Sequence, residues 1–337
     1  MRLNLIGNGF DLYHGLPSSY YYFGCFLASE YPDFYCELAN MYGFKCQKHT
    51  GYDDFEIVVS DLFWKDFEEK LGYLNDTWMD YRLCDDLGLE CDDPIDIDPP
   101  EAANANVIKD KFCEWVCTTL NTRSNFEVVK SYLSKSKCKF PNGDFFINYN
   151  YTQTLEEVYK IPRSQILHIH GECDLDSCWG DLVVGHGNDE GIQYLKDNIL
   201  KIDKKGDWLG YQSARNRLNE EKCKLEILQN LKKDVPSLCS SLIRFLHSMN
   251  EKIEEIKIWG LSCGPVDEMY IEALHTNYPD AHWSFSYFNA AEKEARITFT
   301  NKLGLKDVHL FEFTNPASLD IMKEIVKLNH ITEFQKI

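Results

Sequence analysis

The sequence lacks the features that direct a chain into a membrane, out of the cell or onto nucleic acid. No apolar run in its 337 residues approaches the roughly 18 that a membrane-spanning helix needs. Residues 1–6 lack the charged and apolar blocks of a signal peptide. Basic residues are few, with 35 Lys and Arg against 54 Asp and Glu, so the formal net charge is -19. We therefore expect no membrane contact and no non-specific binding to nucleic acid.

The sequence also lacks the Cys-x-x-Cys pairs of common zinc motifs, although it contains 13 cysteines. The nearest spacings are Cys113 with Cys117 and Cys173 with Cys178. Without a signal peptide, a secreted fold held by disulfides is not expected. The pattern predicts reduced, mostly buried thiols in a cytoplasmic protein, with no zinc or other metal site.

What the sequence does contain is an alternation of strand and helix patterns. Hydrophobic residues make up 44% of the chain, enough for a large core. The predicted strands are 3–6, 145–149, 166–170, 182–185, 255–259, 283–288 and 308–311. The predicted helices are 18–42, 55–74, 106–120, 125–134, 154–159, most of 191–250 with Pro236 as an interruption, 266–278 and 292–303. This order predicts a three-layer α/β/α sandwich around a mostly parallel, Rossmann-like sheet.

The order of predicted strands and helices also divides the chain into a core and an insertion. Residues 1–42 and 141–337 are predicted to form a Rossmann-like nucleotide-binding core, and 191–250 is a helical segment within it. Residues 43–140 are predicted to form a helical insertion that caps the site. This insertion carries an exposed acidic loop near 85–101, a stretch with Pro94, Pro99 and Pro100.

The first strand ends in the turn Gly7-Asn8-Gly9. Glycines at this place let a backbone approach a phosphate, and the start of the next helix supplies N–H donors. The third glycine of the usual dinucleotide fingerprint is replaced by Leu12, so a tight turn without a ligand explains the pattern equally well. Asp11 could cap the helix, bind a ribose hydroxyl or repel a pyrophosphate.

Two further predicted strands end in asparagines and histidines. Asn148 and Asn150 follow one strand, where an amide could orient a water or a ribose hydroxyl, or simply form a turn. His168 and His170 close the next strand, and alternation predicts that they share a face. His170 is a candidate general base. Alternatively, the two histidines and His186 could bind a metal ion.

The later strands end in glycine and polar residues as well. Gly260 and Ser262 could contact phosphates, and Asp267 could cap the following helix. Asn289 ends the strand after that. Each signal is weak alone. Together these strand ends predict one ligand site at the carboxyl edge of the sheet.

These motifs resemble, in order and over nearly the whole chain, those of AbiH, the bacterial family of phage abortive-infection proteins. The similar stretches are Ile6-Gly7-Asn8-Gly9-Phe10-Asp11, His14-Gly15-Leu16-Pro17-Ser18-Ser19-Tyr20, Trp64 with Phe67-Glu68-Glu69, Asn148-Tyr149-Asn150-Tyr151-Thr152, Leu167-His168-Ile169-His170-Gly171 and Gly260-Leu261-Ser262-Cys263-Gly264-Pro265-Val266-Asp267. The resemblance implies a role in antiviral defence.

AbiH proteins are in turn distantly similar to the sirtuin-like superfamily. That similarity implies that Asn150 and His170 act on NAD. It also implies that the nucleotide is bound by Gly7, Asn8, Gly9, Asp11, Gly260, Ser262 and Asn289. The sirtuin zinc ribbon is lacking, and the sirtuin Asn-Ile-Asp is Asn150-Tyr151-Thr152 here. The resemblance therefore implies destruction of NAD rather than removal of acyl groups from lysine.

Three functions remain open from the sequence. The first is an antiphage effector that hydrolyses NAD, is held inactive in a homo-oligomer and responds to a phage or host trigger protein. The second is a sensor that binds NAD or ADP-ribose without chemistry and signals through oligomerisation. The third is a metal-dependent nuclease that uses His168, His170 and His186.

Overall fold

The computed structural model describes residues 1–50, 55–75, 100–132, 138–173, 182–205, 211–249 and 252–337. The chain divides into two compact units. Unit 1 comprises Met1–Ser19, Cys113–Val183 and Asp234–Ile331, and unit 2 comprises Tyr20–Phe112, Val184–Lys233 and Thr332–Ile337. The predicted boundaries of core and insertion stay predictions. Residues 85–99 of the predicted acidic loop lie outside the described residues.

The described elements alternate between strands and helices through most of the chain. The strands are β1 (Arg2–Ile6), β2 (Gln47–His49), β3 (Phe55–Val59), β4 (Phe145–Asn148), β5 (Ile166–His168), β6 (Glu255–Trp259), β7 (His282–Tyr287), β8 (His309–Glu312) and β9 (Gln335–Lys336). The helices are α1 (Asn8–Tyr13), α2 (Tyr20–Glu30), α3 (Pro32–Tyr42), α4 (Asp61–Lys65), α5 (Phe67–Lys70), α6 (Ala105–Trp115), α7 (Arg123–Tyr132), α8 (Thr154–Tyr159), α9 (Asp189–Lys205), α10 (Tyr211–Asn230), α11 (Val235–Ser248), α12 (Pro265–Asn277), α13 (Ala290–Lys302) and α14 (Ser318–Leu328).

Unit 1 is built on a six-stranded, all-parallel sheet in the order β5-β4-β1-β6-β7-β8. Helices join successive strands, which confirms the predicted Rossmann-like three-layer fold. The register places Ile6 opposite both Asn148 and Trp259, and Asn148 opposite His168. Four strands therefore end at the same level, and we call this end of the sheet the carboxyl edge.

The central strands are apolar because both faces of the sheet are covered. Leu5, Ile147 and Ile258 are buried in a cluster on one face. Ile6, Phe146 and Trp259 are buried in a separate cluster on the other. Burial of each such side chain stabilises the fold by about 1.5–3 kcal/mol. The polar residues that follow these strands are thus attached to a rigid frame.

Some predicted elements differ from those observed. The predicted strand 182–185 is wrong, because these residues join no strand. The predicted helix 55–74 is wrong at its start, where the β-branched run of β3 pairs with β2 and β9. The predicted helix 18–42 breaks into α2 and α3, because Pro32 begins a new helix. Strand β5 ends at His168, two residues earlier than predicted.

Unit 2 contains the small sheet β2-β3-β9 and the helices α2 to α5. Its core includes aromatic rings in edge-to-face contact, such as Phe23 with Trp64 and with Phe67. Helices α9 and α10 also belong to it. In the part of the chain that the structure describes, no helix has both the length and the apolar composition needed to cross a bilayer.

Candidate functional site at the carboxyl edge

The glycines that follow β1 and β6 pack against each other, backbone on backbone. The Gly7 N–H donates to the Trp259 carbonyl at 2.9 Å, and the Gly9 N–H donates to the Gly260 carbonyl at 2.8 Å. Gly260 has a φ of 62°, and a Cβ on it would lie 2.4 Å from the Gly9 carbonyl carbon. Only glycine fits this contact. The phosphate contacts predicted for Gly7, Gly9 and Gly260 stay predictions. All three N–H donors already bond within the protein, since the Gly260 N–H donates to Ser286 Oγ at 2.8 Å.

The two polar residues of the first turn have different surroundings. Asn8 is exposed, and its Oδ1 accepts a hydrogen bond from Ser18 Oγ at 2.6 Å. Asp11 is buried inside α1. Its carboxylate accepts hydrogen bonds from Thr152 Oγ1 at 2.6 Å and Thr154 Oγ1 at 2.7 Å. Gly7 precedes the helix as its cap residue, so the cap role considered for Asp11 is not observed.

Burial dominates the chemistry of Asp11. Removal of its carboxylate from water raises its pKa from 3.8 to about 6. The hydroxyls of Thr152 and Thr154 act in the opposite direction, because they stabilise the charged form. The Asp11 carboxyl therefore titrates nearer to neutral pH than an ordinary aspartate.

The asparagines after β4 fix a short loop against the first glycine turn. Asn150 Nδ2 donates to the Gly7 carbonyl at 3.1 Å, across 143 residues of sequence. Asn148 Oδ1 accepts from the Asn150 N–H at 3.0 Å, and its Nδ2 donates to the Thr152 carbonyl at 3.2 Å. All these groups are buried. The fold thus brings Asn150 into direct contact with the glycine turn.

The predicted common face of His168 and His170 is wrong. Strand β5 ends at His168, and the chain turns through residues 169 and 170 before Gly171 at a φ of 80°. His168 Nε2 contacts Glu156 Oε1 of α8 at 2.7 Å. His170 instead lies among the rings of Tyr149, Tyr151 and Tyr270, because the turn interrupts the strand alternation.

Two tyrosines flank the buried His170 ring. His170 Nε2 lies 3.4 Å from Tyr270 Oη, and the Tyr149 ring packs edge-on at 5.5 Å. Burial raises the pKa of Tyr149, so its phenol stays neutral. Tyr149 Oη is buried and has no hydrogen-bond partner within the described ranges. This phenol therefore has a hydrogen-bond donor that no described residue uses.

Two carboxylates that were not predicted from the sequence lie beside His168. Glu156, His168 and Glu172 each bring a potential ligand atom within 4.8 Å of the others. Glu172 also pairs with Arg163 and, at 3.4 Å, with Gln153 Nε2. No motif signals this group, because its acids come from α8 and from the loop after β5. Glu156 and Glu172 both contact His168 Nε2, at 2.7 and 3.5 Å, and so hold its ring in place.

His186 does not serve the metal set that the sequence suggested. Its Nε2 bonds to the Leu228 carbonyl at 2.9 Å, and its Nδ1 accepts from the Asn188 N–H at 3.0 Å. Burial lowers the pKa of His186, which keeps the ring neutral. Both ring nitrogens are thus occupied within unit 2, as expected of a core histidine.

The residues that follow β6 and β7 have local partners. Ser262 Oγ donates to Asp267 Oδ2 at 2.7 Å, and the Gly264 N–H donates to the same oxygen at 3.3 Å. Asp267 therefore caps α12 from within its first turn, with Gly264 as the cap residue. The sequence predicted instead a cap through Tyr270. Asn289 Oδ1 accepts from the Glu292 N–H at 2.9 Å and caps α13. The nucleotide contacts predicted for Ser262 and Asn289 stay predictions.

A buried arginine, which was not predicted from the sequence, holds the turn after β6. Arg296 of α13 donates to the carbonyls of Leu261 and Ser262, both at 2.5 Å, and to that of Ser286 at 3.3 Å. It also pairs with Glu292. An arginine in a helix pattern is usually exposed, so nothing local identified it.

Comparison with known proteins identifies a family. A sequence model described as "Bacteriophage abortive infection AbiH" matches residues 3–287 of the chain. No curated protein and no solved structure matches it. The matched range contains the residues discussed after β1, β4, β5 and β6, and it ends with β7, two residues before Asn289.

Proposed function

Because the chain belongs to the bacteriophage abortive infection family AbiH, we propose that it is an antiphage effector that hydrolyses NAD. The products would be nicotinamide and ADP-ribose, and the reaction would take place at the carboxyl edge of the sheet. NAD is then the substrate, and no further cofactor takes part in the chemistry.

One observation carries the proposal. Asn150 contacts the glycine turn at Gly7 through a buried hydrogen bond of 3.1 Å, and His170 follows the strand next to the one that carries Asn150. The sequence separates these three positions by up to 163 residues, yet they follow three adjacent strands, β1, β4 and β5. Open parallel sheets bind nucleotides at such an edge.

The reaction breaks the bond between C1′ of the ribose and the nicotinamide nitrogen. The bonding electrons leave with the nicotinamide, and positive charge develops on the ribose ring. A water held by Asn150 attacks C1′, and His170 accepts the proton that this water loses. The neutral phenol of Tyr149, whose ring packs against His170 and whose Oη is buried, supports the proposal as a donor to a ribose hydroxyl.

Asp11 acts as a positioning residue. Its carboxylate binds the hydroxyls of Thr152 and Thr154, and the loop between them and β4 carries Asn150. The glycine turns would offer the pyrophosphate a backbone surface without side chains. Asn8, Ser262 and Asn289, all exposed, would form the polar rim of that surface.

The test follows NAD in infected cells, because an effector that kills its host needs an inactive resting state. We expect phage infection to lower the NAD content of cells that carry the wild-type protein, with nicotinamide appearing on chromatography. His170→Ala and Asn150→Ala should each abolish this loss. The matched control is His309→Ala, an exposed histidine on β8, which should behave as wild type.

The outcomes are distinguishable if the thermal unfolding of each purified variant is measured. Protection from phage with unchanged NAD would contradict the proposal. NAD loss in a folded His170→Ala or Asn150→Ala variant would remove that residue from the mechanism. The trigger, a phage or host protein, and a resting homo-oligomer are parts of the proposal that the same cells can report on by co-purification.

A second candidate function is a nucleotide sensor. The observation that favours it is that residues 148–154 contain no carboxylate, while Asp11 is held by two threonine hydroxyls. In that case NAD or ADP-ribose would bind without turnover. Ligand at about 100 times its Kd would add about 2.7 kcal/mol to the free energy of unfolding. Nicotinamide release by the purified protein would exclude a sensor without chemistry.

A further inference from the structure

Three cysteines of unit 1 lie together at a place that the proposed reaction does not use. Cys113, Cys117 and Cys173 are all buried, and their Sγ atoms lie within 4.8 Å of one another. The Sγ atoms of Cys113 and Cys173 are 3.4 Å apart. That separation is much longer than the disulfide bond length of about 2.05 Å. The three atoms form a compact sulfur cluster inside the protein.

A helix and a loop build this cluster. Cys113 lies in α6 and Cys117 in the π-helical turn Val116–Leu120 that continues it, so the two side chains are four residues apart on one face. Cys173 comes from the loop after β5, 60 residues further along the chain. Its carbonyl accepts from Asn121 Nδ2 at 2.6 Å. The third sulfur is therefore held beside the other two by the protein's own hydrogen bonds.

We propose that Cys113, Cys117 and Cys173 bind a Zn²⁺ ion through their sulfur atoms. Zinc–sulfur bonds of about 2.3 Å at tetrahedral angles separate the sulfurs by about 3.8 Å. The observed separations, from 3.4 Å to at most 4.8 Å, bracket this value. On binding, each thiol releases its proton to solvent, and the three thiolates donate electron pairs to the ion. Water takes the fourth position.

The ion would take no part in the proposed NAD chemistry, and the inference does not depend on NAD hydrolysis. It would tie residues 113–120 to the loop that carries His170 and Cys173. The sequence predicted no zinc site, because that prediction considered only cysteines that are close together along the chain. The fold supplies a ligand set from two distant elements, and such a set has no sequence motif.

The experiment measures metal in the full chain, purified without chelator from zinc-supplemented cells. We expect one zinc per chain by mass spectrometry of the metal. A mercurial that titrates thiols should release this zinc, which a colorimetric chelator detects. Co²⁺ in its place should give thiolate-to-cobalt charge-transfer absorption in the near ultraviolet. These three readings use the wild-type protein, so they do not depend on the folding of any variant.

Single variants then assign the ligands. Cys113→Ala, Cys117→Ala and Cys173→Ala should each lower the zinc content to near zero after dialysis, with folding checked by circular dichroism. The matched control is Cys239→Ala, a half-buried cysteine of α11 outside the cluster, which should keep its zinc. Zinc well below one per chain in the wild type, copper in its place, or zinc retained in any folded cluster variant would overturn the assignment.

Discussion

The two halves of the carboxyl edge hold their polar side chains in opposite ways. In the half formed by β5, β4 and β1, which we call the asparagine–histidine half, Thr152 reaches Asp11 across 141 residues and both are buried. In the half formed by β6 and β7, which we call the capping half, Ser262 reaches Asp267 five residues away. There, Asn289 reaches Glu292 three residues away, and both contacts are exposed. Similar residue types thus form a buried network in one half and ordinary helix caps in the other.

The comparison indicates where chemistry belongs. A buried polar network costs free energy unless each member is satisfied, so it persists where it orders something specific. Exposed caps stabilise their own helix and need no other reason. The proposed function accordingly has its reacting groups in the asparagine–histidine half, and only the rim of the proposed nucleotide surface in the capping half. The variants described below test this division between the two halves.

The largest effect is expected where the two halves meet, at Gly260. Gly260→Ala would place a Cβ 2.4 Å from backbone atoms of the first turn, which cannot move away without displacing α1. We expect it to cost about 4 kcal/mol or more of the free energy of unfolding, measured in urea. Gly304→Ala is the matched control, with a similar φ of 67° and open space around it. It should cost only about 1–2 kcal/mol. Equal losses would contradict close packing as the cause.

The next effect concerns Arg296, a buried side chain of the capping half with a partner 35 residues away. Arg296→Met should cost about 3 kcal/mol, because the carbonyls of Leu261, Ser262 and Ser286 lose their donor. Lys302→Met on the same helix removes only an exposed pair with Glu268 and should change stability by less than about 1 kcal/mol. Urea unfolding of both variants measures the difference. A small loss of unfolding free energy in Arg296→Met would show that this long-range contact contributes little to the stability of the capping half.

A third effect is a pH dependence confined to the asparagine–histidine half. Because the folded pKa of Asp11 is about 6 and its ordinary value is 3.8, the folded state binds this proton more tightly. The resulting stability is present below about pH 3.8 and is lost as the pH rises through 6. The difference between wild type and Asp11→Asn should therefore change by about 2 kcal/mol between pH 4 and pH 7.

The control for this titration is Asp280→Asn, which alters an exposed carboxyl of unit 1. Its unfolding free energy should follow that of the wild type across the same pH range. A constant difference between Asp11→Asn and wild type would show that the Asp11 carboxyl is not perturbed by burial.

The smallest effect is expected at the caps. Asn289→Ala should cost about 1 kcal/mol, the usual value of an N-cap. The NAD loss in infected cells should persist, because Asn289 belongs only to the rim of the proposed site. Asn277→Ala, at an exposed position near the end of α12, is the control. Complete loss of NAD turnover in Asn289→Ala would show that a residue of the capping half takes part in the reaction.

The strands of the parallel sheet were predictable because their local signals are strong. Residues 255–259 and 154–159 were predicted with the observed bounds, since buried β-branched runs and amphipathic turns are visible in sequence. The prediction of helix for residues 55–59 was wrong, because the aromatic and aliphatic side chains there fit both the helical and the strand periodicity. Their pairing with β9 depends on residues 335–336, which no local pattern can reveal.

The candidate site was predictable only at the level of strand ends. Glycines and asparagines after strands indicated which positions reach the edge, and Asn150 does contact Gly7. The face of His170 could not be predicted, because it depends on where β5 stops and the chain turns. Glu156, Tyr149 and Arg296 were missed for a similar reason. Their partners are set by tertiary packing, and each looks ordinary in its own segment.

The close contact of Gly9 with Gly260 has a consequence for synthesis of the protein. Strand β1 lies between β4 and β6, and its turn finds its counterpart only when residue 260 has left the ribosome. Until then, a nascent chain has one wall of the proposed nucleotide surface and not the other. Under the proposed function, this late closure would keep unfinished copies inactive.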